Sequence, residues 1–261
     1  MNNVQLEFII FTVYWIISGI YSWCFHVPVV NNKNRRVFAC EKSLDFVSDI
    51  KKADLAKNIS EVTFTYSNIP LIEKEAFLRF GLDLKTISIT RSQLKSVQDG
   101  GFHGVAELET LVLTGNLLKI VKSAWFEGVS KLKTLKLNGN RISTIENEIG
   151  AVLPGLKFFD LSENQLHCLP ENFLGFFHQL QFFNCRQNPW HYKCCYDIME
   201  WARFNNELDF RPHYRDVQHI QNITRDCLQN VSTSLNIHSI DSCVDEKLNG
   251  MMENNFFYFV T

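Results

Sequence analysis

One feature constrains this chain more than any other: its apolar pattern repeats. The pattern restarts at Ile59, Leu84, Leu108, Leu132, Leu156 and Leu180, one step of 25 residues followed by steps of 24. A period of that length belongs to supersecondary units that cannot bury their apolar faces alone and must stack on one another. Each unit carries apolar residues at its start and three and five residues on: Ile59, Val62, Phe64; Leu84, Ile87, Ile89; Leu108, Leu111, Leu113; Leu132, Leu135, Leu137; Leu156, Phe159, Leu161; Leu180, Phe183, Cys185. Residues two apart on a strand share a face, so these side chains point inward and the chain must then turn over the core they form.

Eight residues after each start stand Ser67, Ser92, Asn116, Asn140, Asn164 and Asn188. Asn suits that turn, because its amide can satisfy backbone groups that would otherwise be buried unpaired, and stacked Asn side chains make a ladder. Ser67 and Ser92 can do this only in part. The spacing matches the signature L-x-x-L-x-L-x-x-N-x-L, and the sequence resembles the leucine-rich-repeat family from residue 59 to about residue 190. The resemblance implies an α/β repeat solenoid, a curved horseshoe with a parallel β-sheet on its concave face. The second half of each unit closes the coil with Ile69 and Ile72, Leu94 and Val97, Leu118 and Val121, Ile142 and Ile145, and Leu166 and Leu169. A convex spine follows in Phe77 with Phe80, Phe102 with Val105, Phe126 with Val129, and Leu174 with Phe177; the fourth unit has Gly150 with Leu153, and Ile149 stands in. Most of the 22 Phe are core of this kind.

The expected organisation is a signal peptide at 1–22, an N-terminal cap at 23–58, six repeats over 59–187, a cysteine-rich cap at 188–244 and a tail at 245–261. The run Phe8 to Ile20 is almost wholly apolar and ends near Gly19, a residue suited to precede a cleavage point, so it reads as a secretion signal. Ser18, Ser22, His26 and Pro28 interrupt the stretch before it reaches the roughly 20 residues of a membrane anchor. A chain in that pathway could be glycosylated at Asn58, Asn222 and Asn230, each of which opens an Asn-x-Ser/Thr sequon.

Eight cysteines in an oxidising compartment favour disulfides over metal or thiol chemistry. Cys24 and Cys40 flank the turn-prone Asn31-Asn32-Lys33-Asn34, which fits a bonded hairpin cap at the N-terminal end. After Asn188-Pro189-Trp190 come Cys194, Cys195, an apolar series Ile198, Trp201, Phe204 at helical spacing, and then Cys227 and Cys243. This resembles the cysteine-rich C-terminal cap of extracellular leucine-rich-repeat proteins. Spacing permits three pairings of the four cysteines; the family's alternating connectivity implies Cys194 with Cys227 and Cys195 with Cys243. A zinc site from His191, Cys194 and Cys195 is disfavoured, since adjacent cysteines suit tetrahedral ligation poorly. Cys185 takes an inward Leu position and reads as a small buried hydrophobe. Cys168, one place before inward Leu169, reads as exposed and could link two chains into a dimer.

Function must be sought on the surface, since one fold hosts many functions. The concave strand positions are threonine-rich and mildly basic, and the candidate ligand-binding residues are Tyr66, Lys85, Arg91, Lys133, Lys136, Lys157, Phe158, Phe182 and Arg186. The column Thr86, Thr110, Thr134 ends in Phe158 and Phe182, two aromatics that the register turns outward, a pattern typical of interface anchors. Net charge is −2, with 26 basic and 28 acidic residues interspersed, which argues against nucleic acid as the partner. No phosphate loop, metalloprotease motif or defensible acid pair is present, so neither enzyme activity nor a cofactor is expected. The expectation is a secreted, non-enzymatic protein that binds another protein or extracellular macromolecule. The family's uses imply innate-immune recognition or cell adhesion, with a loose similarity to arthropod immune repeat proteins. A membrane-tethered receptor ectodomain or matrix component is the second possibility.

Overall fold

The computed structural model describes residues 23–29, 32–54, 58–204, 208–211, 222–223, 225–227, 242–244 and 246–247. They fall into two compact units, the first comprising the residues up to Leu117 with Ala124–Leu132, the second Leu118–Ser123 with the residues from Lys133 onward. The signal-peptide expectation, Asn230 and most of the tail lie outside the described residues.

The first unit opens with an antiparallel hairpin of β1 (Trp23–Val29) and β2 (Asn32–Glu41), in which Cys24 faces Cys40 and is bonded to it. Helix α1 (Phe46–Lys51) follows, its Asp45 cap accepting the Ser48 amide at 3.0 Å, as an extended residue ahead of a helix should. At its other end the Arg79 guanidinium donates to the carbonyl oxygens of Ile50 (3.0 Å) and Ala53 (3.3 Å), placing positive charge where the helix dipole is negative. Strands β3 (Ile59–Thr65), β5 (Thr86–Thr90) and β7 (Thr110–Val112) run parallel to β2, and the two-residue strands β4 (Leu71–Ile72) and β6 (Ser96–Val97) pair behind them. Along β3 and β5 burial alternates: Val62, Phe64, Ile87 and Ile89 are fully buried and their neighbours half-exposed. Behind the sheet Phe46, Phe77, Phe102 and Phe126 form a continuous row of rings with centroids 5.8, 5.9 and 6.4 Å apart. Stacking of successive coils aligns Phe77, Phe102 and Phe126, each ring landing on the one a period earlier, and Phe46 of α1 continues the row.

The second unit repeats the plan. The short strands β8 (Ile120–Val121) and β10 (Thr144–Ile145) pair on one side; on the other β9 (Thr134–Lys136), β11 (Phe158–Asp160), β12 (Phe182–Asn184) and β13 (Asp209–Arg211) form a parallel sheet. Helix α2 (Ile149–Val152) buries Ile149 and Leu153 flanks it in the core. Leu174 and Phe177 are buried as expected, and the spine here gains Phe173, 24 residues after Ile149, whose ring meets Phe159 at a tilt and Phe177 edge-on. Gly150 has no room for a side chain, since a Cβ there would lie 2.4 Å from Phe176 Cβ.

The polar ladder is present at every register. Asn116 Oδ1 accepts the amides of Ser92 and Leu94 while its Nδ2 donates to the Ile89 and Leu113 carbonyls. Asn140, Asn164 and Asn188 accept the amides of Leu118, Ile142 and Leu166 respectively at 3.0 to 3.1 Å. A Ser at this place does half as much. Ser92 Oγ accepts the Ser67 amide and donates to the Thr90 carbonyl, Ser67 Oγ accepts the Ser43 amide, and the series ends where Ser43 donates to the buried Asp49 carboxylate at 2.5 Å.

At the C-terminal end Tyr192–Arg203 forms helix α3, and β13 adds a strand beyond the six apolar registers, with Phe210 stacked on Phe183 at 6.1 Å. Ile198 is buried and Trp201 meets Phe183 edge-on at 6.0 Å, but Phe204 is the exposed residue that ends the helix rather than part of its apolar side. The disulfides differ from the family's alternating scheme. Cys168 bonds to Cys194, and Cys227 bonds to Cys243. Neither Cys194–Cys227 nor Cys195–Cys243 forms; Cys195 is instead buried with Ile223, Cys227 and Val244. The reason is that stacking brings the loop at Cys168 against the start of α3, with Cα atoms of Cys168 and Cys194 5.2 Å apart. Cys168 is therefore not available for an intersubunit bridge, and Cys194 is not available to a metal.

Candidate functional site

The outward positions of the strands make the candidate surface, and each unit gathers its own share of it. In the first, Glu61, Thr86 and Thr110 stand in one row, with Thr63, Ser88 and Val112 in the next row but one. Lys85 is exposed and pairs with Glu109 at 3.5 Å, so this lysine is partly neutralised. Tyr66 and Arg91 meet at the turn: the Arg91 guanidinium carbon lies 5.6 Å from the Tyr66 ring centroid, and Nη1 donates to the phenol oxygen at 2.5 Å. Both residues have positive φ, 50° and 49°, the conformation every unit needs immediately before its ladder residue. At the next turn this place is Gly115, whose missing Cβ leaves room for the Arg91 stem; a Cβ there would lie 2.9 Å from Arg91 Cγ.

In the second unit the register sets Thr134, Phe158, Phe182 and Asp209 side by side. The two phenyl rings stack face to face with centroids 3.9 Å apart and planes within 5°. The two rings rise from directly opposed positions on strands about 4.8 Å apart, close enough for them to lie flat on each other. Lys136, from the diagonal position on β9, brings its ammonium to 5.1 Å from the Phe158 centroid. The result is a cation resting on a two-ring stack, both rings half-exposed. Lys133 and Lys157 are exposed at the heads of their strands, where the Lys133 carbonyl accepts the amides of Lys157 (2.8 Å) and Phe158 (2.9 Å). Arg186 is exposed on the turn after β12.

Of the nine candidates, then, Tyr66 and Arg91 touch each other, Lys136, Phe158 and Phe182 form one cluster, and Lys85, Lys133, Lys157 and Arg186 stand separately. Asp160, which strand parity turns outward but which is not among the nine, lies beside Lys136 and Asn184 in the next outward row, and its Oδ1 accepts the amide and hydroxyl of Ser162 at 3.0 and 2.7 Å. The sequence reading missed Asp209, exposed beside Phe182 at the head of β13. The alternation of Leu208 and Phe210 was the available signal for that strand. A cleft of about 400 Å³ lies elsewhere in this unit, walled by Leu169, Phe173, Ile198 and Trp201 and edged by Glu171 and Asp197.

The comparisons agree with this architecture. Residues 82–142, 106–166 and 130–189 each match the family model described as Leucine rich repeat, with windows that begin 24 residues apart. Among solved structures, TLR13 in complex with ssRNA13 superposes with a TM-score of 0.52 at 21% identity, over 63% of this chain and 23% of that one. A leucine-rich-repeat protein of Leptospira interrogans gives 0.52 at 22%, over 60% of this chain and 38% of that one. The chain thus spans well under half the length of either neighbour, and at these identities the likeness is one of fold. No curated protein matches. Residues 82–189 are thus leucine-rich repeats, in a fold shared with these structures. Such repeats are scaffolds for recognising other macromolecules, with a row of outward strand residues as the natural contact surface.

Proposed function

We propose that this chain is a secreted, non-enzymatic recognition protein that holds a protein partner on the outward face of its strands, with the Phe158–Phe182–Lys136 cluster as anchor. The carrying observation is the half-exposed phenyl stack capped by a lysine. Two large apolar rings on a hydrophilic surface are stabilised when a partner covers them, and an aromatic centre ringed by polar groups is the usual composition of a binding hot spot. Innate-immune recognition is the use we favour. The three disulfides fit an oxidising compartment, and the sequon residues Asn58 and Asn222 are exposed, as glycan acceptors must be. Among the described residues no helix is long and apolar enough to cross a membrane.

The test is capture of partners from body fluid or from cell surfaces by the full chain. Phe158→Ala with Phe182→Ala is expected to weaken retention by roughly 30-fold or more, the effect of losing about 2 kcal/mol at an interface centre. Retention unchanged in a folded double variant would remove the anchor from consideration. TLR13 was solved with ssRNA13, and aromatic stacks can also hold bases, so single-stranded RNA belongs in the experiment as competitor; displacement by RNA would favour a nucleic-acid partner instead. N-terminal sequencing of the released product tests secretion: retention of Phe8 to Ile20 would favour a tethered ectodomain.

A further inference from the structure

His167 and His191 are 24 residues apart, so successive coils place them in the same position. The His191 amide donates to the His167 carbonyl at 2.8 Å, and the two imidazole rings meet with centroids 5.2 Å apart and planes at 65°. Both residues are exposed. Their backbones are tied on either side of this contact. The disulfide Cys168–Cys194 joins the residue after His167 to the residue three after His191. The His191 carbonyl accepts the Cys195 amide at 2.9 Å, which fixes the first turn of α3.

From this juxtaposition we propose that His167 and His191 form an open, two-imidazole site for a borderline-soft divalent ion of the Zn2+, Ni2+ or Cu2+ class. Imidazole is the protein ligand these ions share. An ion about 2.0–2.1 Å from one nitrogen of each ring, with a near-tetrahedral angle between the two bonds, requires ring centroids about 5 Å apart. The observed centroid separation of 5.2 Å meets that requirement, and the backbone bond and the disulfide hold the two residues side by side. Among the described residues no third His, Cys, Asp or Glu side chain joins the pair. The remaining coordination positions therefore fall to water or to a ligand brought by another molecule, and the site is suited to bridging rather than to stabilising the fold.

The decisive experiment titrates the full-length oxidised chain with Zn2+ by calorimetry and with Cu2+ by electron paramagnetic resonance. It compares wild type with His167→Asn, His191→Asn and, as control, His178→Asn, another exposed histidine. One equivalent should bind with two nitrogen ligands, and each single variant should lose roughly a hundredfold in affinity, as expected when a chelating pair becomes a single ligand. The control should bind as wild type does. Diethyl pyrocarbonate labelling gives a second readout, in which Zn2+ should protect His167 and His191 together. Wild type that does not bind, variants that bind as tightly as wild type, or a loss confined to one of the two histidines would each overturn the proposal. Both substituted side chains are on the surface and leave the His191–His167 backbone bond in place, so folding is not at issue.

Discussion

Asn164 shows how much one side chain does in this architecture. Its Oδ1 accepts the Ile142 amide at 3.0 Å, and its Nδ2 donates to the carbonyls of Leu137, Leu161 and Ser162, all at 3.0 Å. Alanine there would leave the buried Ile142 N–H unpaired and remove one donor from each of three carbonyls, which keep only Asn140 Nδ2, Asn188 Nδ2 and the Gly139 amide respectively. Asn164→Ala is expected to lower stability by about 3 kcal/mol, read from the urea midpoint. Ser92→Ala should cost less, about 1–2 kcal/mol, because the hydroxyl serves only the Ser67 amide and the Thr90 carbonyl. Equal losses at the two positions would mean that the amide's extra bonds contribute nothing. The same scale holds Gly150: Gly150→Ala presses a methyl against Phe176 Cβ and should destabilise by about 1–3 kcal/mol in thermal unfolding, although Ala is the better helix former.

Elements here are short, and their positions come from what lies one period away. Strands of three residues such as β9, β11 and β12 would not persist alone. They persist because Leu135, Phe159 and Phe183 are buried and the strands on either side take up their backbone groups. The link between the loop at Cys168 and helix α3 acts at this scale too. The bond Cys168–Cys194 closes a separation of 26 residues. Replacing both cysteines by serine should lower stability by about 3 kcal/mol through the freer unfolded chain. The loss should be accompanied by faster amide exchange in α3, while β3 and β5 keep their protection. Uniform loosening of all strands would argue that the bond constrains more than its own end.

For the whole molecule the cysteine pattern makes the sharpest prediction. Peptide mapping without reductant should return Cys24–Cys40, Cys168–Cys194 and Cys227–Cys243, and electrophoresis without reductant should show a chain not cross-linked through Cys168. A Cys194–Cys227 peptide would restore the family's alternating scheme. A net charge of −2 leaves no strong field to steer a partner, so the proposed recognition would rest on local features such as the phenyl stack and the Tyr66–Arg91 pair.

The period, the inward alternation of Ile87 and Ile89 or Leu111 and Leu113, and the Asn ladder could all be read from the chain. Each depends on chemistry that recurs at fixed spacing: a residue two along a strand shares its face, and an amide in a turn finds the backbone one coil away. That Phe158 and Phe182 turn outward followed from the same parity. Their flat stack at 3.9 Å, the lysine on it and the pairing of His167 with His191 did not, because they are set by how closely successive coils approach. Phe173 joining Leu174 and Phe177 in the core, Phe204 left outside, β13 as an added strand and the partner of Cys168 belong with them. The last three lie where the repeat ends. There no periodic neighbour dictates the contact, and only the packing of the ends against the last coils decides which side chain is buried and which sulfurs meet.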